Sequence, residues 1–148
     1  MSPIKNATII KLLSYLSACL LTTEHPLKLH LANAAGINLF TGYGEDYVEI
    51  NRQRFSRSLI VLPEKIVEDW EVLGFEQLAA AHFEFLASLA PEIVLLGTGT
   101  RLRFPVPALT RALVTAQIGL EVMDTAAACR TYNILASEGR KVAAALLL

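Results

Sequence analysis

Between Glu92 and Leu148 three short apolar runs alternate with two helical stretches, and that order leaves few topologies open. Glu92–Leu96 contains Ile93, Val94, Leu95 and Leu96 without alternation, the pattern of a strand covered on both faces. Gly97-Thr98-Gly99-Thr100 leaves it abruptly. Pro105 and Pro107 open a helix over Ala108–Gln117, since proline is tolerated in a first helical turn. Gly119–Met123 is a second buried strand. Asp124 offers an acceptor to the free N–H groups of the helix that follows, Thr125–Ser137, and Gly139 closes that helix. Lys141–Leu147 is the last strand. Strand–helix–strand connections in series are right-handed and make the strands parallel.

The preceding half has a different pattern. Leu27–Leu31 alternates apolar and polar residues, the period of a half-buried strand. Ala34-Ala35-Gly36 and Gly42-Tyr43-Gly44 form turns, with a short strand, Ile37–Thr41, between them. In Asp46–Asn51, Val48 and Ile50 share one face and Tyr47 and Glu49 the other. Asn51-Arg52 is a tight turn, because asparagine tolerates positive φ, and Arg54–Leu62 returns as the second arm of a hairpin that Pro63 stops. Lys65–Val72 is a further strand with Ile66, Trp70 and Val72 facing inward. Phe75–Leu89 is a helix whose apolar stripe is Phe75, Leu78, His82, Phe85, Leu86 and Leu89, ended by Pro91. Hairpins before parallel strands imply a mixed sheet. The expected fold is therefore a single α/β domain over 27–148 with a C-terminal βαβαβ unit. A chain of 148 residues buries about 70% of its unfolded surface and needs no disulfide or metal to be stable.

Residues 1–26 stand apart. The apolar fraction is 53% and the mean hydropathy +0.44, and much of the excess lies in Ala7–Leu21 and the C-terminus. A transmembrane helix needs about 20 apolar residues, and Lys11 interrupts this run. A processed signal is a second reading, because Leu16-Ser17-Ala18-Cys19 resembles a lipobox. The third is an N-terminal extension forming a helix over Ile4–Leu21 that packs on the domain, mediates association with a partner or a second copy, is only loosely attached, or reflects start-site choice.

Thirteen basic and 14 acidic residues give a net charge of −1, which argues against nucleic acid or an anionic membrane as default partner. Cys19 and Cys129 form no Cys-x-x-Cys motif and no metal spacing, a usage that fits a reducing cytoplasm. His25, His30 and His82 are dispersed, so no metal site or cofactor is expected. Glu68-Asp69 would alternate faces of a strand, and Glu45-Asp46 is a solvated turn.

Ligands of open α/β sheets sit at the carboxyl ends of parallel strands. Here those ends supply Gly97, Thr98, Gly99, Arg101 and Arg103 in one loop. The other loop supplies Asp124, Thr125 and Arg130 at a helix N-terminus, whose free N–H groups favour an anion. A small anion or carboxylate is the ligand this set would take. The plainer reading is that the glycines make the turn and the arginines pair with surface carboxylates. Neither Gly-x-x-x-x-Gly-Lys-Ser/Thr nor Gly-x-Gly-x-x-Gly is present. Cys129, one turn into the same helix, is either a thiol activated by the helix or a packed core residue. His82 is a core or interface histidine.

Several stretches carry a resemblance. They are Asn38-Leu39-Phe40-Thr41-Gly42-Tyr43-Gly44, Ser58-Leu59-Ile60-Val61-Leu62-Pro63, Leu95-Leu96-Gly97-Thr98-Gly99, Arg103-Phe104-Pro105 and, most specific, Met123-Asp124-Thr125 through Cys129-Arg130-Thr131-Tyr132-Asn133. Over Leu27–Leu148 the chain resembles the uncharacterised-domain family that includes the mitochondrial complex I assembly factor three and the adipogenesis-associated domain protein. The resemblance implies a layered β/β/α fold with a mixed sheet, no established catalytic residue, and a protein partner. The chain departs from the family in having Asn51-Arg52 where an Asn-Gly turn is usual, and in residues 1–26. The expectation is a non-enzymatic interaction or assembly protein. The alternative is a small-anion-binding protein or enzyme using the loops after the parallel strands.

Overall fold

A computed structural model of the protein describes residues 36–148. The extension over 1–26 and the strand expected at Leu27–Leu31 lie outside the described residues.

Three strands of the C-terminal unit, β6 (Ile93–Gly97), β7 (Gly119–Met123) and β8 (Val142–Leu146), lie side by side with β6 in the middle, parallel to both neighbours. Two earlier strands, β4 (Leu59–Val61) and β5 (Ile66–Val67), extend the sheet antiparallel from β8, so the order is β5-β4-β8-β6-β7 and the sheet is mixed. A second sheet holds β1 (Phe40–Tyr43), β2 (Val48–Ile50) and β3 (Gln53–Phe55), all antiparallel. The helices are α1 (Ala80–Ser88), α2 (Arg111–Thr115) and α3 (Thr125–Ser137). The described residues thus form the expected α/β domain, with two sheets and three helices.

Side chains alternate across a strand, and in the larger sheet both faces are apolar. One face carries Ile60, Leu62, Val94, Leu96, Ala143 and Ala145, packed with Phe83 and Leu86 of α1 and Leu113 of α2. On the other face α3 lies so close that a Cβ on Gly97 would come within 3.1 Å of the Thr125 Cα, 3.2 Å of the Ala128 Cβ and 2.7 Å of a Leu146 methyl. Strand β8 is buried along its whole length, and its three alanines keep this central strand slim between the layers.

Several expectations shift. Arg54–Leu62 is not one strand. The chain leaves the small sheet after Phe55 and enters the large one at Leu59, where Ser58 is buried and its Oγ accepts the Leu148 N–H at 3.1 Å. Gly42 and Tyr43 belong to β1, and the turn falls later, closed by the Gly44 N–H on the Tyr47 carbonyl. Asn51 and Arg52 form the tight turn as expected, both left-handed with φ of 51° and 70°. Strand β5 ends at Val67, so Trp70 and Val72 are buried from irregular chain.

The helix expected over Phe75–Leu89 is a 3-10 turn at Phe75–Gln77, then two extended residues, then α1. That interruption changes the helical phase, so Phe83 takes the fully buried place and Phe85 is 41% exposed. His82 faces Trp70 edge-on at 6.1 Å, and its Nδ1 accepts the Ala79 N–H at the start of the helix. The helix expected over Ala108–Gln117 shrinks to α2, because Val106 to Thr110 are held in tight turns closed between residues three apart and Gln117 ends it at φ 57°. Strand β7 is an edge strand and only half-buried. Asp124 and Gly139 cap α3 as expected, Gly139 at φ 79°.

Replacing Gly97 with alanine should cost about 1–3 kcal/mol, because the α3 backbone must move to admit one methyl group. Urea unfolding of the variant checks this.

Candidate functional site

Because β6 and β7 are parallel neighbours, the loops after Gly97 and Met123 meet at one end of the sheet. They are stitched together by their own polar groups. The Thr98 N–H donates to the Met123 carbonyl at 2.9 Å, and the Thr125 N–H to the Gly99 carbonyl at 2.9 Å. The Thr125 hydroxyl accepts the Gly99 N–H at 2.9 Å and donates to the Leu147 carbonyl at 3.2 Å. The Thr98 hydroxyl donates to the Arg101 carbonyl at 2.6 Å and accepts the Arg103 N–H at 3.1 Å. Both threonines are buried. The Asp124 carboxylate accepts the Ala127 N–H at 2.8 Å, as an N-cap does.

The three arginines do not converge. Arg103 pairs with Glu76, and its guanidinium lies over the Phe75 ring, 4.4 Å from the centroid. The hydrogen bond from Arg103 holds the Glu76 carboxyl below its ordinary range. Arg130 donates to the Tyr43 hydroxyl at 2.9 Å. Arg101 is exposed and makes no ion pair among the described residues. Gly97 is filled against α3 and Leu146, leaving no room for a ligand atom beside its Cα.

The residues that were not anticipated lie further along α3. Asn133 accepts the Phe40 N–H and donates to the Phe40 carbonyl, both at 2.8 Å, so its amide imitates the edge of a neighbouring strand. Tyr132 is fully buried, stacks edge-on against Phe40 at 5.1 Å, and donates its hydroxyl to the Asn38 carbonyl at 3.0 Å. With Arg130 on Tyr43, one helix grips the β1 segment at three places. The signal was present as the Arg130-Thr131-Tyr132-Asn133 stretch. Its partners, 87 to 94 residues away, were not.

Cys129 is a free thiol, buried in the core, and desolvation pushes its pKa up to about 12. It is protonated at neutral pH, which opposes nucleophilic use. Among the described residues no group of three or more His, Cys, Asp or Glu could hold a metal ion. A shallow hollow of about 280 Å³, lined by Leu62, Pro63, Glu64, Pro91 and Lys141 among others, lies at the opposite end of the parallel strands from Thr98 and Asp124.

Residues 40–147 match the family described as "Protein of unknown function (DUF498/DUF598)". The chain belongs to that family. It is 32% identical over 130 residues to NADH dehydrogenase [ubiquinone] 1 alpha subcomplex assembly factor 3 of Bos taurus, covering 86% of this chain and 65% of that protein. The human protein of that name is 35% identical over 100 residues, 66% of this chain and 54% of its own length. The chain thus spans between about half and two-thirds of these relatives. A protein of Francisella tularensis named "13 kDa major membrane protein" is 24% identical over 73% of this chain and 89% of its own. Among solved structures, a Bordetella parapertussis protein superposes with a TM-score of 0.72 at 43% identity, covering 76% of this chain and 96% of that one. A Bordetella pertussis protein described as an Mth938-like domain gives 0.67 at 35% identity, covering 76% and 86%. No helix among the described residues is long and apolar enough to cross a membrane.

The buried thiol supplies a test. Its folded pKa lies above its ordinary 9.0, so its burial contributes stability below pH 9 that fades as pH rises from 9 towards about 12. In a Cys19→Ser chain at pH 8, Cys129 should resist a chromogenic disulfide reagent while folded and react fully in guanidinium. Rapid reaction of the native chain would contradict its burial.

Proposed function

We propose that this protein is a non-enzymatic interaction protein that assists assembly of a membrane respiratory complex and works on the cytoplasmic side. One observation carries the reading: the polar groups at the strand ends, where a substrate would sit, are engaged by each other. The Thr98 and Thr125 hydroxyls close the loops, and Asp124 caps a helix. Relatives named as assembly factors of NADH dehydrogenase support the role, and a relative named as a membrane protein supports a place near a bilayer. The free thiol of Cys129 is compatible with a reducing compartment.

A small anion held by Gly97–Arg103 and Asp124–Arg130 is the competing proposal. It would have to rely on Arg101, since Arg103 and Arg130 already have partners.

Deleting the gene should lower the amount of assembled NADH-oxidising complex on native gels, and a tagged chain should recover subunits of that complex. An unchanged complex would contradict the role. So would a rise of several degrees in melting temperature with a small anionic metabolite that Arg101→Ala abolishes.

A further inference from the structure

The loop between β6 and α2 is apolar at its tips and basic at its flanks. Leu102, Phe104 and Val106 are 52%, 70% and 59% exposed, and Val114 on α2 is 71% exposed. Arg103, between the first two tips, turns back onto Phe75 and Glu76 and so holds the loop while its neighbours stay in solvent. The charge is segregated: Ile93–Leu120 holds three arginines and no carboxylate in a chain whose net charge is −1. Arg101 and Arg111 are exposed and make no ion pair among the described residues. Pro105 and Pro107 bring no N–H to this stretch, and the Arg103 N–H is taken by the Thr98 hydroxyl; the N–H groups of Leu102, Phe104 and Val106 would stay at the depth of the headgroups, within reach of water and phosphate.

We propose that this loop docks on the surface of an anionic lipid bilayer, with Leu102, Phe104 and Val106 entering the headgroup boundary and Arg101 and Arg111 against the lipid phosphates. Apolar tips beside exposed cations match a surface that offers hydrocarbon beneath a dense layer of negative charge, and it needs no pocket shaped to each side chain. The whole-chain charge balance does not oppose this, since over a Debye length of about 8 Å only the local charges act. The inference rests on the loop alone and would stand if the assembly role failed.

Sedimentation of the full chain with vesicles tests it. With phosphatidylglycerol in phosphatidylcholine vesicles the chain should sediment, more weakly as salt is raised, and it should bind pure phosphatidylcholine poorly. Replacing Leu102, Phe104 and Val106 together with serine should weaken binding about tenfold or more. Arg101→Gln with Arg111→Gln should remove the preference for phosphatidylglycerol by about tenfold or more. Both variants should melt with the wild type, because the altered side chains are exposed. The proposal is overturned if the wild type ignores phosphatidylglycerol vesicles, or if the serine variant sediments as well as the wild type. It is also overturned if the serine changes split a dimer without affecting vesicle binding, which would assign the loop to a second copy.

Discussion

The Asn133 amide stands in for a strand. It meets both the N–H and the carbonyl of Phe40 at 2.8 Å, and through that pair a helix connects to the small sheet. A buried backbone group left without a partner costs about 1–3 kcal/mol, so two such groups on one residue make a strong local constraint. Around it Tyr132 supplies an aromatic contact and a hydroxyl to Asn38. Asn38 in turn donates to the Leu62 carbonyl and accepts from Asn51. The tight turn, β1, the end of β4 and α3 are thereby joined in one polar chain.

The same helix organises the other side. At its start Asp124 caps it, and Thr125 ties the loop after β6 to the end of β8. Along its buried face Ala128 packs on the large sheet where Gly97 gives it room, and Cys129 beside it is buried in the core. A stretch that looks chemically rich, with a carboxylate, two threonines, a thiol, an arginine and a tyrosine, is accounted for by its duties in the fold. It holds two sheets to one helix, and every one of those side chains except Thr131 has a defined structural partner or a buried place.

The C-terminal unit was legible because its signals are local. A continuous apolar run, an aspartate cap and a closing glycine act within a few residues of the element they define. The hairpin turn at Asn51-Arg52 was legible for the same reason. The exchange of sheets between Phe55 and Leu59 was not, because Ser58 is fixed by Leu148, 90 residues away. The break before α1 was hidden by an apolar spacing that fits a helix whether or not Leu78 and Ala79 are extended. At the strand ends residue types suggested a ligand set, while hydroxyl partners depend on the packing of β8 and α3 and carry no mark in the sequence. The exposed tips Leu102, Phe104 and Val106 carry no mark either, because exposure is a property of the assembled surface.

The Tyr132–Asn133 end of α3 holds the small sheet to the rest of the domain. Native-state hydrogen exchange of an Asn133→Ala chain tests it most directly. The Phe40 amide and the amides of β1 to β3 should lose protection together, while those of β6 and β8 keep theirs. Unchanged protection across β1 to β3 would contradict it.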